Sequence, residues 1–201
     1  ATALGEVVPR LAPLLGPETV VVTAQNGIPW WFFDGFGPTP GLRLKSTDPD
    51  GAVAAALPPA RVIGCVLHIG CTVPEPGLVV HSNQNSFLLG EPSGETTPRL
   101  TALVEALSGA GIGAKAIGDV QQQYWTKLLG NMTYAPISLL TGATNDQIGT
   151  DPAIREVCAR MIEEINLVGE AYDLVPGMGT YERIDLGANL VGFKTSMRQD
   201  F

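Results

Sequence analysis

The chain's 201 residues carry a formal net charge of −8 and are 45% hydrophobic, enough apolar material for one large or two small domains with real cores. Its twelve Lys and Arg are scattered, so the basic patch that nucleic-acid binding needs is missing. No apolar run comes near the ~18 residues of a membrane span and no cationic, apolar leader opens the chain, so a soluble cytoplasmic protein is expected.

Residues 2–15 place Leu4, Val7, Val8, Leu11, Leu14 and Leu15 at helical spacing, weakened by Pro9 and Pro13 and ended at Gly16-Pro17. A β-branched run, 19–23, follows without alternation, as expected of a parallel strand buried on both faces. It stops at Asn26-Gly27, and in an open parallel sheet ligands bind just beyond such a carboxyl end, where an amide offers both donor and acceptor. A tight Asn-Gly turn alone would also account for the pair. Trp30, Trp31, Phe32 and Phe33 come next; consecutive rings cannot all face one side, so some are expected to roof a cleft or an interface, with plain core packing the alternative.

Residues 34–48 are Gly- and Pro-rich loop and 50–57 a short alanine-rich helix. RVIGCVLHIGCTV from Arg61, LVVH (78–81) and SFLLG (86–90) read as successive strands added antiparallel. His68 and His81 lie in them and read as hydrogen-bonded structural residues. PRLTALVEALSGAGI is an amphipathic helix and 114–118 its following strand. From Asp119 onward everything reads helical: 119–140, then 151–172 with Asp151 as N-cap and Pro152 in the first turn. The domain boundary is placed near 118, giving domains 1–118 and 119–201.

GAGIGAK (109–115) and GFGPTPG (35–41) break the GxGxxG spacing, and GxxxxGK[ST], GxSxG and HExxH do not occur. Cys65, Cys71 and Cys158 are an odd, sparse set without metal-ligand spacing, so no metal site or disulfide framework is expected. Cys65 and Cys71 share strand parity, and both read as small core residues. The chain opens on Ala1 and ends at Phe201 within a helix-like SMRQD, so it reads as cut at both ends.

The helix at 119–140 carries the most informative pattern. Advancing about 100° per residue, Trp125, Leu128, Leu129 and Met132 form a core arc nearly opposite Lys127. On the lysine's side Gln123, Lys127 and Asn131 fall one turn apart, with Tyr124 and Tyr134 as flanking walls. A solvated surface would produce the same stripe. Pro136 frees the Met132 carbonyl, which should bend the helix, and Gly130 removes a side chain beside the lysine so that another backbone or a ligand can come close. Both features favour a shaped site.

TAQNGIPWWFF, KLLGNMTYAPISLLTGAT, DPAIREV and the late KTSMRQD together resemble the ketopantoate reductase (2-dehydropantoate 2-reductase) family, over nearly the whole chain. The resemblance implies an α/β plus all-α protein: the second part of a Rossmann-type NADP-binding domain followed by a helical, 6-phosphogluconate-dehydrogenase-like C-terminal domain, with the site between them. It implies an NADPH-dependent reductase of a 2-oxo acid, 2-dehydropantoate or a relative of it, in pantothenate synthesis. By position, Lys127 matches the family's catalytic lysine, Asn26 the asparagine at nicotinamide and substrate, Asn131 and Asn145 substrate-binding asparagines, and Ser196 the serine that bonds the substrate's carboxylate end. Cys71 lies near a strand end whose backbone touches cofactor in the family. One departure is Ala135, where many members carry a further asparagine, which should relax or shift substrate choice. A homodimer is compatible with the resemblance, and the oligomeric state is otherwise open.

Hydride arriving at a ketone carbon leaves charge on oxygen, and an ammonium within reach both stabilises that charge and supplies the proton. A partly desolvated pocket suits the role, because it lowers a lysine's ordinary pKa of about 10.4 toward neutrality. The competing expectations are a reductase of another 2-oxo acid or an imine on the same scaffold, and a non-catalytic dimerisation module whose lysine stripe lies on an open surface.

Overall fold

The computed structural model describes residues 4–193 and 195. The chain forms two compact units, Ala1–Tyr124 and Trp125–Phe201. The division falls after Tyr124, inside a helix.

In the first unit, helix α1 (Leu4–Leu11) buries Val8 and tolerates Pro9, and a 3-10 turn, Ala12–Leu14, follows it. Strand β1 (Val21–Ala24) runs parallel to β2 (Val62–Glu75), in register from Val21 opposite Val62 to Ala24 opposite Cys65. Short helix α2 (Ala52–Ala56) lies between them, its first N–H groups held by Asp50 and Asp48. β2 turns back at Gly77, whose φ of 88° only glycine adopts cheaply, into antiparallel β3 (Leu78–Gly90). Helix α3 (Pro98–Gly109), N-capped by the Thr97 hydroxyl, leads to β4 (Ala114–Ala116), parallel to β3. The sheet order is β1-β2-β3-β4.

Its core is Ile63, Cys65, Leu89, Leu100 and Ala114, with Leu103, Val104 and Leu107 of α3 laid against it. At the start of α3, Glu91, only 2% exposed, accepts from the Thr97 hydroxyl and from Arg99. Burial works to raise the Glu91 pKa, but these bonds outweigh it and hold the carboxylate below its ordinary value.

Several sequence expectations change here. β1 is not buried on both faces in this chain: within it only Thr23 is buried, and Val22 is 38% exposed. Segments 78–81 and 86–90 are parts of one long strand, since the polar residues between them still pair with β2. Cys65 is buried but Cys71 is exposed. Register shifts between Ile69 and Gly70 and between Gly70 and Cys71 break the alternation that parity assumed.

All four rings at 30–33 are buried, at 6%, 1%, 1% and 6% exposure, so none roofs an open cleft within this unit. The backbone turns tightly there, with Phe32 N–H to Pro29 O and Asp34 N–H to Trp31 O, so successive rings fan out to different partners. The Trp30 indole donates to Leu57 O, that of Trp31 to Thr23 Oγ1, and Phe32 packs edge-on against Phe33 and Phe36.

The second unit is helical. Helix α4 (Val120–Thr141) begins in the first unit and runs on through Pro136. α5 (Asn145–Thr150), α6 (Pro152–Glu170) and α7 (Thr180–Ala188) follow, and Asp151 caps α6 as expected, accepting from Ala153 and Ile154 N–H. Leu129, Ile148, Cys158, Ile162, Leu174 and Ile184 fill the interior. α4 and α7 pack closely where Gly187 faces Tyr134: a methyl at Gly187 would collide with the phenol ring. No described helix is long and apolar enough to cross a membrane.

Candidate active site

Lys127 and Asn131 are each half-buried on α4, one turn apart on one side of the helix. The opposite arc is only partly a core face: Trp125 and Leu129 are buried, Leu128 is half-buried, and Met132 is 45% exposed. The buried stripe runs instead through Leu129, Thr133, Tyr134, Ala135 and Ser138. Thr133, fully buried, turns its hydroxyl back onto Leu129 O at 2.7 Å, which lets a polar residue sit in that stripe.

The two tyrosines expected to wall the lysine stripe are structural pins. In the first unit the Tyr124 hydroxyl lies 2.9 Å from Thr23 O and 3.0 Å from Cys65 O and accepts from Cys65 N–H, fastening the start of α4 to β1 and β2. In the second unit Tyr134 donates to Ile184 O at 2.6 Å, fastening α4 to α7. Burial pushes both phenols up to about 12.

The space at Gly130 is taken not by a second backbone or a ligand, as its place beside the lysine suggested, but by a side chain. That side chain is Arg183 of α7, whose Nη2 occupies the space a Gly130 methyl would need. Burial pushes the Arg183 guanidinium below its ordinary pKa, with Tyr134 partly offsetting the effect. Its Nε is buried without a hydrogen-bond partner among the described residues. The sequence marks this residue weakly: Arg183 and Gly187 are one turn apart on α7, the spacing of a face that packs closely.

Asn145, first residue of α5, is 5% exposed; its backbone N–H donates to Phe193 O, while its Oδ1 is buried without a partner among the described residues. Thr195, in the late KTSMRQD stretch, is buried with its hydroxyl in the same condition. Ser196 lies outside the described residues. Ala135 is buried at 6% exposure and offers no donor.

In the first unit Asn26 is exposed in the turn after β1, and Gly27 takes a φ of 83°. The strand end behind it is rigidly held: Thr23 receives Trp31 and Tyr124 and donates to Ile63 O. Cys71 is exposed on β2 opposite His81. Among the described residues no group of His, Cys, Asp and Glu could hold a metal ion. The structure thus brings Lys127, Asn131 and Asn145 into one unit and Asn26 and Cys71 into the other.

Comparison with known proteins decides the ancestry. Residues 119–201 match the ketopantoate reductase PanE/ApbA C-terminal domain. A 2-dehydropantoate 2-reductase from Mesorhizobium japonicum is 41% identical over all 201 residues. Residues 119–201 belong to the ketopantoate reductase family.

The rest of the chain is homologous to the same reductases. A crystal structure of a candidate ketopantoate reductase from Ralstonia solanacearum superposes with a TM-score of 0.94 at 41% identity, covering 98% of this chain and 61% of that one. The 2-dehydropantoate 2-reductase of Geobacter metallireducens, at 21% identity, TM-score 0.79, and coverage of 98% of this chain and 60% of that one, shares the fold. This chain spans 62% of the length of the Mesorhizobium relative. Its αβ unit corresponds to part of the Rossmann-type domain of the ketopantoate reductases, and its helical unit to their C-terminal domain.

Proposed function

We propose that the whole protein reduces a 2-oxo acid, 2-dehydropantoate or a close relative, with NADPH, and that Lys127 donates the proton. The supporting observation is the α4 face itself: a half-buried lysine with a half-buried amide one turn on, inside the part of the chain that matches the ketopantoate reductases. Half-burial suits both duties of the ammonium, because charge is stabilised more strongly where water is scarce. Asn131 orients the substrate from the same face. Asn145 and Ser196 are proposed as further substrate contacts, and the unpartnered Oδ1 of Asn145 is what a residue that saves a bond for ligand would show.

The first unit fits a dinucleotide at the Asn26 turn. There the carboxyl end of a parallel strand is pinned by Tyr124 and Trp31, while the Asn26 amide stays exposed with donor and acceptor in place. NADPH, when bound, supplies the hydride; Asn26 holds the carboxamide and substrate side, with Cys71 a further backbone contact. Ala135 removes a donor from the substrate side, so a substrate with one polar group fewer than 2-dehydropantoate is the second reading.

The test is NADPH oxidation by the whole protein against a panel of 2-oxo acids that includes 2-dehydropantoate. Turnover with a 2-oxo acid sustains the reading. Absence of turnover across the panel, with no dinucleotide bound, would transfer the chain to the class of non-catalytic dimerisation modules.

A further inference from the structure

We infer that Arg183 is the anchor for the carboxylate of the 2-oxo acid, a specificity-determining residue delivered to the Lys127 face of α4 through the gap at Gly130. The inference rests on the reductase reading and names the group that would hold the substrate's charged end. Gly130 is three positions after Lys127 and immediately before Asn131, so a guanidinium seated on it stands on the same side of the helix as both.

What sets this cation apart is that it is desolvated and yet, among the described residues, paired with no carboxylate. Arg155 pairs with Asp185 and the Gly149 carbonyl, and Arg160 pairs with Glu156. The acids beside Arg183 on α7 are committed elsewhere, Glu182 to Gly179 N–H and Asp185 to Arg155. Among the described residues no carboxylate forms an ion pair with Arg183, although its Nε is buried. Holding a desolvated cation without an anion is costly, and a fold that also gives up a side chain at Gly130 to seat it has shaped a receptor for one. A planar guanidinium matches a carboxylate fork to fork. The ketone to be reduced is adjacent to that carboxylate in a 2-oxo acid, so anchoring one positions the other.

The experiment uses the whole protein as wild type, Arg183→Gln, Arg183→Lys and Gly130→Ala. Steady-state NADPH oxidation is measured with a 2-oxo acid and with its neutral 2-oxo amide, and thermal stabilisation by the same acid is measured alongside. Loss of a charge-assisted bond should raise KM for the acid in Arg183→Gln roughly 10- to 150-fold, with a much smaller change in kcat. The wild-type preference for acid over amide should collapse in that variant, and Arg183→Lys should restore part of it. Gly130→Ala keeps the charge but displaces it, so it should raise KM several-fold without loss of Tm, since alanine is the better helix former.

An active wild type whose Arg183→Gln variant keeps its KM within twofold, or its acid-over-amide preference intact, overturns the anchor while leaving the reductase reading in place. So does a variant that loses Tm in the absence of substrate but binds the acid as before, which would mark Arg183 as the partner of another protein carboxylate. If wild type turns over no 2-oxo acid, the reductase reading fails instead. The stabilisation assay then decides: a shift by the acid that is lost in Arg183→Gln sustains the anchor, and no shift in wild type removes it.

Discussion

The Tyr124 hydroxyl sits 2.9 Å from the Thr23 carbonyl, joining the first turns of α4 to the strand that ends just before Asn26. The same oxygen lies 3.0 Å from Cys65 O and receives Cys65 N–H, so one phenol serves three backbone groups of two neighbouring strands. The side chain is 3% exposed.

Tyr124→Phe should therefore cost about 1–3 kcal/mol, because it leaves buried backbone groups short of partners while keeping the ring. Urea unfolding of the chain measures it. The phenol also sets an alkaline limit. Its folded pKa of about 12 lies above the ordinary 10.0, so its share of stability is whole below pH 10 and lost as pH rises toward 12. That share is on the order of 2–3 kcal/mol, and the stability-against-pH curve of Tyr124→Phe should be flatter over this window than that of wild type.

Lys127→Ala in the whole protein should lower kcat by about 10² to 10⁴ while the fold is kept, the usual worth of a general acid. NADPH oxidation with the best 2-oxo acid, together with far-UV circular dichroism, checks both halves. A loss under tenfold would take Lys127 out of the role.

Asn131→Ala should act chiefly on binding. A side chain that orients substrate from the turn after the lysine contributes before the chemical step, so KM should rise by about one order of magnitude and kcat less. Unchanged values of both would remove the residue from the site.

Glu91 sets the acid limit of the first unit. Its folded pKa lies below the ordinary 4.5, so the stability it contributes is present above that value and is lost as pH falls through the folded pKa. Glu91→Gln leaves Arg99 without its charge partner and should cost about 1–3 kcal/mol at neutral pH. The loss should shrink as pH falls below 4.5 and through the lower folded pKa, which acid titration of both proteins by fluorescence reads directly.

Elements whose signals are local were legible in the chain. Asp151-Pro152 opens α6 as its capping chemistry required. Long-range effects were not. The polar residues after His81 look like a break, yet they continue β3 because a ladder of backbone bonds along β2 does not require apolar side chains. Tyr124 and Tyr134 share the lysine's side of the helical wheel, but a wheel cannot show that their hydroxyls reach carbonyls of β1, β2 and α7. Of the residues proposed for function, Lys127 and Asn131 in the second unit and Asn26 in the first come from spacing and resemblance. Arg183 was missed because its significance is contact with Gly130, which lies more than fifty positions away in the chain.

The bulges around Gly70 leave one thiol, Cys71, facing outward while Cys65 and Cys158 stay buried. The molecule thus carries its own attachment point for a maleimide dye: native protein should take up label at that position, with the interior pair reacting only after denaturation. A fluorophore placed there would test, without any engineered cysteine, the proposed approach of a dinucleotide to this strand.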